Sequence, residues 1–500
     1  MEEWHLDEAK LKKYPHFDPP ISAEKAEKYA TDKVCVARHA FYPFILFRQR
    51  WTRFAKKGKK GVPKERPIRY AARRDAYIFS YYRHVLSQCY EAELAHLGLG
   101  ASVLAYRRIQ TSDGKGGKCN IHFARDAFLK IRELGDCFVI ALDISSYFES
   151  LDHQILKAVW CTMLGVSRLP SDHFRVFEAI TKYAVADKKS VYERLGHFGD
   201  KAAMGGKSVK GYLTPFRGVP KHLCRGREFR RLISGSGGQK SIIEKNYKPY
   251  GIPQGAPISD LLANLYLLDF DSIIAGWVGE VGGSYFRYSD DILIVAPGTK
   301  ALAEDLMTRT QGLIHQYGDK LRIKDEKSSL LIFQRRGADQ EFQLLQGEKG
   351  KDGLEYLGFR YDGKRVFLRN ATISNLLRKI AGAAYRDADS CARRYPDKDV
   401  PELKLLFNYE RLIKQFGRAE DFGESQKDYR NWTFWTYASR ASKAFGTLGK
   451  PILRQLKRHR ELIREHADRA LERAVVRREM RMASRIAARK ASETGALQES

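Results

Sequence analysis

The sequence has few of the features that mark secreted, disulfide-linked or membrane-spanning proteins. Its seven cysteines are scattered and form no CxxC pair, so neither a disulfide framework nor a zinc ribbon is predicted. The N-terminal stretch MEEWHLDEAKLKKY is charged throughout and has no apolar signal-peptide core. No apolar run approaches the ~18 residues of a membrane span. These absences favour a reduced, cytoplasmic setting and no membrane partner.

Acidic residues are also few relative to basic residues. Lys and Arg number 89 against 60 Asp and Glu, which gives the 500-residue chain a formal net charge of +29. Such an excess predicts a polyanionic partner. Aromatic residues make up 12% of the chain, and aromatics mixed with Arg and Lys suit single-stranded nucleic acid, whose bases stack and whose phosphates attract cations. On charge alone, a membrane surface or an acidic protein is the alternative partner.

Composition and periodicity predict a folded chain of mixed structure. A hydrophobic fraction of 43% excludes a disordered chain and supplies real cores for about two to four domains. Helices are expected over 72–97, 258–278, 301–317, most of 150–185, most of the first forty residues and most of the chain after about 370. Strands are expected over 137–144, 284–296 and 321–333, and loops over 56–67, 204–211 and 234–239.

Three aspartates occupy positions where a carboxylate is costly. Asp143 ends an apolar strand, and Asp290 and Asp291 lie at the tip of an apolar hairpin. A carboxylate beside a buried strand needs a hydrogen bond, an ion pair or a metal ion. A pair of Mg²⁺ ions would relieve the repulsion between these acids, because hard cations prefer carboxylate oxygens. A solvated turn is the alternative for the adjacent pair, since Asp is common at hairpin tips.

Five segments resemble, in family order, the palm motifs of reverse transcriptases. They are VIALDISSYFESLDH (139–153), GIPQGAPIS (251–259), YSDD (288–291), LRIKDEKS (321–328) and LEYLGF (354–359). Three further segments resemble the fingers, namely KERPIRYAARRDAYIFSYY, VLAYRRI and NIHFARDAF. Five motifs in order over about residues 60 to 360 form a specific signal, where any one of them would be weak.

The finger segments are most similar to bacterial abortive-infection and "unknown group" enzymes, which serve in phage defence. The chain lacks the Val-Thr-Gly of retron enzymes, the His/Cys nuclease domain of many intron proteins and an RNase H-like acidic set. Ser289 stands where Ala is commoner, a change that should leave the metals undisturbed. The long interval between the first two motifs indicates an insertion at about 185–245.

The resemblance implies an α+β right-hand polymerase. Its parts would be fingers, an RRM-like palm with an antiparallel sheet, a helical thumb and a basic helical C-terminal extension. The expected boundaries are a helical N-terminal extension over 1–55, fingers and palm over 56–360, a thumb over 361–450 and a tail over 451–500.

The resemblance also implies RNA-directed DNA synthesis with two Mg²⁺ ions, or Mn²⁺ in their place. Asp143 and Asp290 would bridge the ions, with Asp291 in support and the Ile144 carbonyl as a further ligand. Lys327 would protonate the leaving pyrophosphate, unless it is merely a surface lysine.

Residues for substrate and primer follow from the same resemblance. Phe148 would fill the space of a 2′-OH and select deoxynucleotides, unless it is simply a core residue. Gln254 would lie near the incoming nucleotide, and Gly255 would let backbone approach closely. Lys64, Arg66 and Arg69 would be finger cations that bind the triphosphate, although general polyanion affinity would also explain them. Tyr356 and Gly358 would position the primer end.

Arginine recurs at every fourth position near the C-terminus. The row consists of Arg469, Arg473, Arg477, Arg481, Arg485 and Arg489. On a helix this spacing keeps neighbours on one side while the row drifts slowly around the axis. Because like charges at this spacing repel unless an anion neutralises them, we interpret the row as an RNA-binding ladder. A solvated face with acidic partners such as Glu465 is the alternative.

The expected partners are a non-coding RNA that acts as template or scaffold, deoxynucleoside triphosphates and the DNA product. The sequence does not decide whether the chain forms a homo-oligomer. Template-independent or protein-primed synthesis at the same site is one alternative. An RNA-binding scaffold with a degenerate polymerase domain is another, although the intact acids argue against it. An RNA-dependent RNA polymerase and an intron maturase fit the motifs less well.

Overall fold

A computed structural model describes residues 3–52, 63–114, 116–202, 208–417 and 433–496. The fold is α+β, as the sequence predicts. The strands are β1 (Phe44–Thr52), β2 (Pro63–Tyr70), β3 (Cys137–Asp143), β4 (Ala184–Asp187), β5 (Phe198–Ala202), β6 (Ser208–Tyr212), β7 (Ile243–Lys245), β8 (Ser284–Tyr288), β9 (Asp291–Ala296), β10 (Ser329–Arg336), β11 (Asp339–Gln346), β12 (Leu354–Tyr356), β13 (Phe359–Tyr361) and β14 (Val366–Leu368). The helices before residue 300 are α1 (Ala23–Thr31), α2 (Lys33–Ala37), α3 (Arg73–His96), α4 (Asn120–Leu134), α5 (Tyr147–Ser150), α6 (His153–Leu164), α7 (Ser171–Thr181), α8 (Lys188–Arg194), α9 (Gly226–Glu228), α10 (Ser259–Tyr266) and α11 (Leu268–Glu280). Those after it are α12 (Lys300–Leu313), α13 (Asn370–Arg394), α14 (Val400–Leu406), α15 (Tyr409–Phe416), α16 (Phe434–Phe445), α17 (Lys450–Arg454) and α18 (His459–Ala496).

The central sheet is antiparallel and has the order β11-β10-β3-β9-β8. Alternate side chains of β3 enter two different cores: Phe138 and Ile140 pack on one face of the sheet, and Val139 on the other. Strand β9 alternates in the same way. Because both faces are covered, these strands are continuous apolar runs, and the same burial makes their terminal aspartates unusual.

A second sheet has the order β2-β1-β4-β7. Strand β4 lies parallel to β1 and antiparallel to β7, with Ala184 opposite Lys245. Strands β4 and β7 begin and end the predicted insertion, so the insertion starts and finishes within this sheet. Its hairpin β5-β6 corrects the loop predicted over 204–211, where residues 204–207 lie outside the described part.

Two predictions about the N-terminal region are wrong. Residues 44–52 form a strand, whereas a helical extension to residue 55 was expected. The buried positions Phe44, Ile45 and Leu46 explain the difference, since this apolar run pairs with β2 and β4. Residues 63–67 of the predicted basic loop lie in β2, and residues 56–62 are outside the described part.

Helices dominate the described chain after residue 370, as predicted. The longest, α18, packs along α13 and buries Ala467, Leu471 and Ala474. Small alanines allow the two helices to approach closely. The first half of the predicted tail therefore belongs to the helical core and is not a free extension.

Smaller differences have local causes. The apolar helix predicted over 258–278 is two helices, α10 and α11, bent by 48° at Leu267. The strand predicted from 321 begins at Ser329, after a turn at Asp325–Lys327. In the described part, no single helix is long and apolar enough to cross a bilayer; only the buried pair α10–α11 passes that test together.

The buried His16 gives acid sensitivity to the N-terminal region. Its Nδ1 accepts from the Phe17 N–H at 2.8 Å and its Nε2 lies 3.3 Å from the Tyr70 carbonyl, an arrangement that suits the neutral ring. Burial lowers the pKa of His16 to about 3. The unfolded chain therefore binds this proton first as the pH falls. We expect His16 to remove about 1.4 kcal/mol of stability per pH unit between about pH 6.5 and 3.

Urea unfolding at several values between about pH 6.5 and 4 measures this slope. The His16→Gln variant should show a shallower dependence, because glutamine does not titrate. Equal slopes for the variant and the parent would contradict the assignment.

Candidate active site

The three aspartates meet where two neighbouring strands of the central sheet end. Asp143, the last residue of β3, is the register partner of Asp291, the first residue of β9. The next residue, Ile144, donates its N–H to the Asp290 carbonyl at 2.9 Å. Directly opposed residues on an antiparallel pair project to the same face of the sheet. The fold therefore brings together carboxylates that are almost 150 residues apart in the chain.

The turn between β8 and β9 is tight. Ser289 has φ of +61° and is buried, with 3% of its surface exposed. Its hydroxyl lies 3.0 Å from the Tyr106 hydroxyl. A left-handed backbone at a residue other than glycine is strained, and neighbouring structure must hold it.

A buried ion pair between Arg287 and Asp271 stabilises this turn. The Arg287 guanidinium and the Asp271 carboxylate are fully buried, and Nε of Arg287 donates to Asp271 Oδ1 at 2.6 Å. Arg287 Nη1 also donates to the Ser289 carbonyl at 3.3 Å. Sequence reasoning missed this pair, although an arginine in a buried strand and an aspartate in an apolar helix were visible signals.

Electrostatic repulsion is built into the site. Burial, with repulsion from Asp290 and Asp143, raises the pKa of Asp291 to about 7. Burial and Asp143 also raise the pKa of Asp290, while Lys327 and Arg66 oppose the rise. The Lys327 ammonium pairs directly with Asp143 Oδ1. The site thus carries more negative charge than its surroundings compensate.

A cavity of about 310 Å³ adjoins the acids. Asp143, Asp291 and Lys327 line it together with the predicted primer-end residues Tyr356 and Gly358. The Tyr356 hydroxyl is buried and has no hydrogen-bond partner among the described residues. Four of the predicted motifs therefore contribute side chains or backbone to one cavity.

The chain matches one family model. Residues 221–361 match the family described as "Reverse transcriptase (RNA-dependent DNA polymerase)". The chain carries a reverse transcriptase domain. The match agrees with the enzyme class that the sequence predicts. The match includes Asp290 and Asp291, whereas Asp143 precedes it. No curated protein matches the chain.

Solved polymerases show a distant structural likeness. A truncated apo telomerase from Candida tropicalis aligns with 70% of this chain and 61% of its own, at 10% identity and a TM-score of 0.37. A Candida albicans telomerase with a fragment of telomeric RNA aligns with 91% of this chain and 66% of its own, at 8% identity and 0.34. The Sicinivirus RNA-dependent RNA polymerase aligns with 74% and 63%, at 10% identity and 0.35. The chain thus spans less than two thirds of the length of these neighbours.

The second sheet contacts the Pro-Gln-Gly segment of the reverse transcriptase domain. The Arg69 N–H donates to the Gln254 carbonyl at 2.9 Å. Gly255 has φ of +113°, and a Cβ there would lie 2.7 Å from the Arg69 carbonyl oxygen. Only glycine allows this approach. Gly255 therefore lets the backbone of β2 approach closely, while its role near the incoming nucleotide stays a prediction.

The predicted finger cations lie together on β2 but differ in surroundings. Arg69 pairs with Glu149 at 3.2 Å and stacks over the Tyr183 ring, 5.5 Å from its centroid. Arg66 is near enough to lower the pKa of Asp290. Lys64 is opposite Trp51 on β1. Arg66 thus has an electrostatic link to one of the three acids.

Phe148 belongs to the first palm motif and lies on the short helix α5. Its carbonyl accepts from the Ile252 N–H at 2.7 Å, and its half-buried ring packs against the main core. The carbonyl contact joins the first palm motif to the second. The ring also packs as the alternative interpretation expects, so the gate role stays a prediction.

The row of arginines lies on α18, and the lining of the cavity beside the acids does not include its described side chains. Arg469 pairs with Glu465 at 2.8 Å, and Arg477 and Arg481 pair with Asp389 at 3.5 and 3.3 Å. Arg473 is exposed, and the side chains of Arg485 and Arg489 lie outside the described part. The structure thus gives acidic partners to three positions of the row, as the alternative interpretation predicts for Arg469.

The donor set suits a hard divalent cation by its chemistry. Asp143, Asp290 and Asp291 are close, partly buried and mutually repelling, and a cation would relieve that repulsion. Among the described residues, however, no three acidic, His or Cys side chains already gather around one point. Lys327 occupies one oxygen of Asp143 instead. We therefore expect the side chains to rearrange when an ion binds.

Proposed function

We propose that the chain is an active RNA-directed DNA polymerase that adds deoxynucleotides at the Asp143–Asp290–Asp291 site. The pairing of Asp143 with Asp291 at adjacent strand ends, beside the primer-end cavity, carries this proposal. Inactive scaffolds have no need to maintain three partly buried carboxylates that repel one another, because each costs stability.

Asp143, Asp290 and Asp291 would hold two Mg²⁺ or Mn²⁺ ions, with the Ile144 carbonyl as a further ligand. Such ions supply charge neutralisation and activation of the primer hydroxyl in phosphoryl transfer. The protein positions these donors through the β3–β9 register and the buried Arg287 beneath the turn. Lys327 pairs with Asp143 and would give a proton to the leaving pyrophosphate.

The remaining side chains would arrange substrate and primer. Gln254 and Gly255 contact β2, the strand that carries Arg66, and Tyr356 and Gly358 line the cavity beside the acids. Lys64 and Arg69 would add positive charge for the triphosphate. The proposed right-hand polymerase consists of fingers and palm up to residue 360, a thumb over 361–450 and a helical tail beyond residue 450.

The proposal extends to phage defence with a cognate non-coding RNA, in a bacterial enzyme of the abortive-infection or "unknown group" type. The finger segments and the net charge of +29 support it. Cytoplasmic location is part of this proposal, as is RNA contact by the arginines of α18. A homo-oligomer is compatible with it.

Replacing Phe148 by Ala should relax sugar selection. The smaller side chain leaves room for a 2′-OH, so the ratio of ribonucleotide to deoxynucleotide incorporation should rise about 10- to 100-fold. Single-nucleotide extension with dATP and with ATP measures the ratio. Phe174→Ala is the control, since that partly exposed ring lies on α7 outside the site. An unchanged ratio in Phe148→Ala would remove the gate role.

The end of α18 provides a test of RNA contact that spares the core. Deletion after residue 450 would remove buried Ile452 and Leu471 and unfold the thumb helices. Deletion of 483–500 instead removes only Arg485, Arg489 and Lys490 as cations. We expect weaker RNA binding and a salt slope smaller by about 1 to 2. Deletion of 491–500, which removes no cation, is the matched control, and equal slopes in the two truncations would contradict RNA contact by these residues.

Primer extension on a defined RNA template with dNTPs and Mg²⁺ tests the proposed function. We expect DNA product whose sequence is complementary to the template. Product formed equally without RNA would identify template-independent synthesis, and product that stays on protein after RNase treatment would identify protein priming. Tight RNA binding with no product under any of these conditions would identify a scaffold.

A further inference from the structure

A second pocket, the Lys188 pocket, lies where the insertion meets the second sheet. It has a volume of about 310 Å³ and is lined mainly by aromatic side chains. Its lining includes Phe47, Ile68, Lys188, Tyr192 and Phe216. Phe216 is 69% exposed and Phe47 is 40% exposed. Exposed apolar rings gathered in one patch are typical of a binding surface.

Lys188 is the cation of this pocket. Its ammonium lies 5.1 Å from the Tyr192 ring centroid, 5.3 Å from Phe47 and 5.9 Å from Phe216. No acidic partner contacts it in the part of the chain that the structure describes. Burial lowers its pKa. A half-buried ammonium that faces only rings attracts an anion more strongly than a solvated lysine does.

The wall of the pocket also contains an unsatisfied polar group. The Tyr192 hydroxyl is buried and lacks a hydrogen-bond partner among the described residues. A buried hydroxyl without a partner costs free energy unless a ligand or water satisfies it. The pocket itself thus offers exposed ring surfaces and a cation, while the Tyr192 hydroxyl is closed to solvent.

The pocket shares Ile68 with the contact between β2 and the Pro-Gln-Gly segment. Alternate residues of β2 project to one face of the sheet, so Arg66 and Ile68 share a face, and Phe47 is the register partner of Ile68. At the other side, Ile68 Cγ2 lies 3.2 Å from the position of a Cβ on Gly255. One face of the sheet thus runs from the Pro-Gln-Gly segment to the insertion.

We propose that the Lys188 pocket binds one unpaired nucleobase, with its phosphate on Lys188, from the single strand that leads to the active site. Bases of any sequence stack on aromatic rings, and a lysine beside them attracts the backbone phosphate. A volume near the lower end of small-ligand pockets suits one planar base better than a duplex. The pocket would hold this strand before the strand pairs. The identification of the strand as the template rests on the proposed function.

Binding of a template–primer by the full-length protein tests the pocket without requiring catalysis. The probes carry either a single-stranded overhang of about six nucleotides or a blunt end, and fluorescence anisotropy is read in EDTA. RNA and DNA overhangs are compared to identify the strand. We expect Phe216→Ala and Lys188→Gln to weaken overhang binding about 5- to 100-fold and to leave blunt-end binding unchanged. Phe174→Ala and Lys189→Gln are the matched controls on exposed surfaces.

An abasic residue placed in turn at each overhang position locates the base. At one position it should weaken binding by the parent and have little further effect on Phe216→Ala. Equal affinity of the parent and both variants for every overhang would overturn the pocket. So would equal losses on blunt and overhanging probes. A chain that fails primer extension but passes this binding test would lose the polymerase proposal and keep the strand-binding pocket.

Discussion

Asp290→Asn should abolish DNA synthesis, lowering the extension rate by about three orders of magnitude or more while RNA binding changes little. Asparagine preserves the size of the side chain and removes the charge on which metal binding depends. Since burial and Asp143 raise the pKa of Asp290, the substitution also removes a repulsion. The melting temperature should therefore stay equal or rise, which separates a functional loss from an unfolded protein.

Single-turnover primer extension and thermal unfolding are measured on the same preparation. Asp260→Asn is the matched control, because that aspartate pairs with Arg83 on the partly exposed face of α10. The control should keep extension within about tenfold of the parent. A comparable extension rate in Asp290→Asn would end the catalytic assignment.

Asp271→Ala should destabilise the chain by about 3 to 5 kcal/mol, because it leaves the buried Arg287 guanidinium without its carboxylate. Arg287 also holds the Ser289 carbonyl. Loss of the pair should therefore loosen the turn that carries Asp290 and lower the extension rate even where the chain is folded. Urea unfolding measures the first effect and extension well below the melting temperature measures the second.

A double variant separates charge from geometry. Asp271→Leu with Arg287→Met replaces the pair by apolar side chains and should recover most of the stability, since such replacements are often neutral. Extension should stay low because the Ser289 carbonyl has lost its donor. A single Asp271→Ala variant as stable as the parent would show that the pair does not support the fold.

The sequence was sufficient to predict the centre of the site because local signals defined it. Apolar runs that end in Asp143 and begin after Asp291 read as buried strands, and the hairpin between β8 and β9 follows from a short turn. Two-sided burial then makes these acids conspicuous. Their pairing across β3 and β9 could be expected only through the family resemblance, since register between distant strands leaves little trace in one sequence.

Features set by long-range contacts were not predictable. The sequence alone predicts a helix that extends over the residues of β1. These residues form a strand because they pair with β2 and β4. The alanines of α18 indicated a helix but not that α13 covers them. The Lys327–Asp143 pair and the Lys188 pocket join residues far apart in the chain. Only the folded chain brings such groups into contact.

Counting bound Mn²⁺ by electron paramagnetic resonance tests the central claim most directly. The full-length protein is mixed with template–primer and a non-hydrolysable deoxynucleotide, and free Mn²⁺ is titrated. About two ions should bind per chain, and Asp143→Asn and Asp290→Asn should each lose at least one of them while Asp260→Asn keeps both. The same number of ions at the same affinity in all four proteins would contradict a metal site formed by these aspartates.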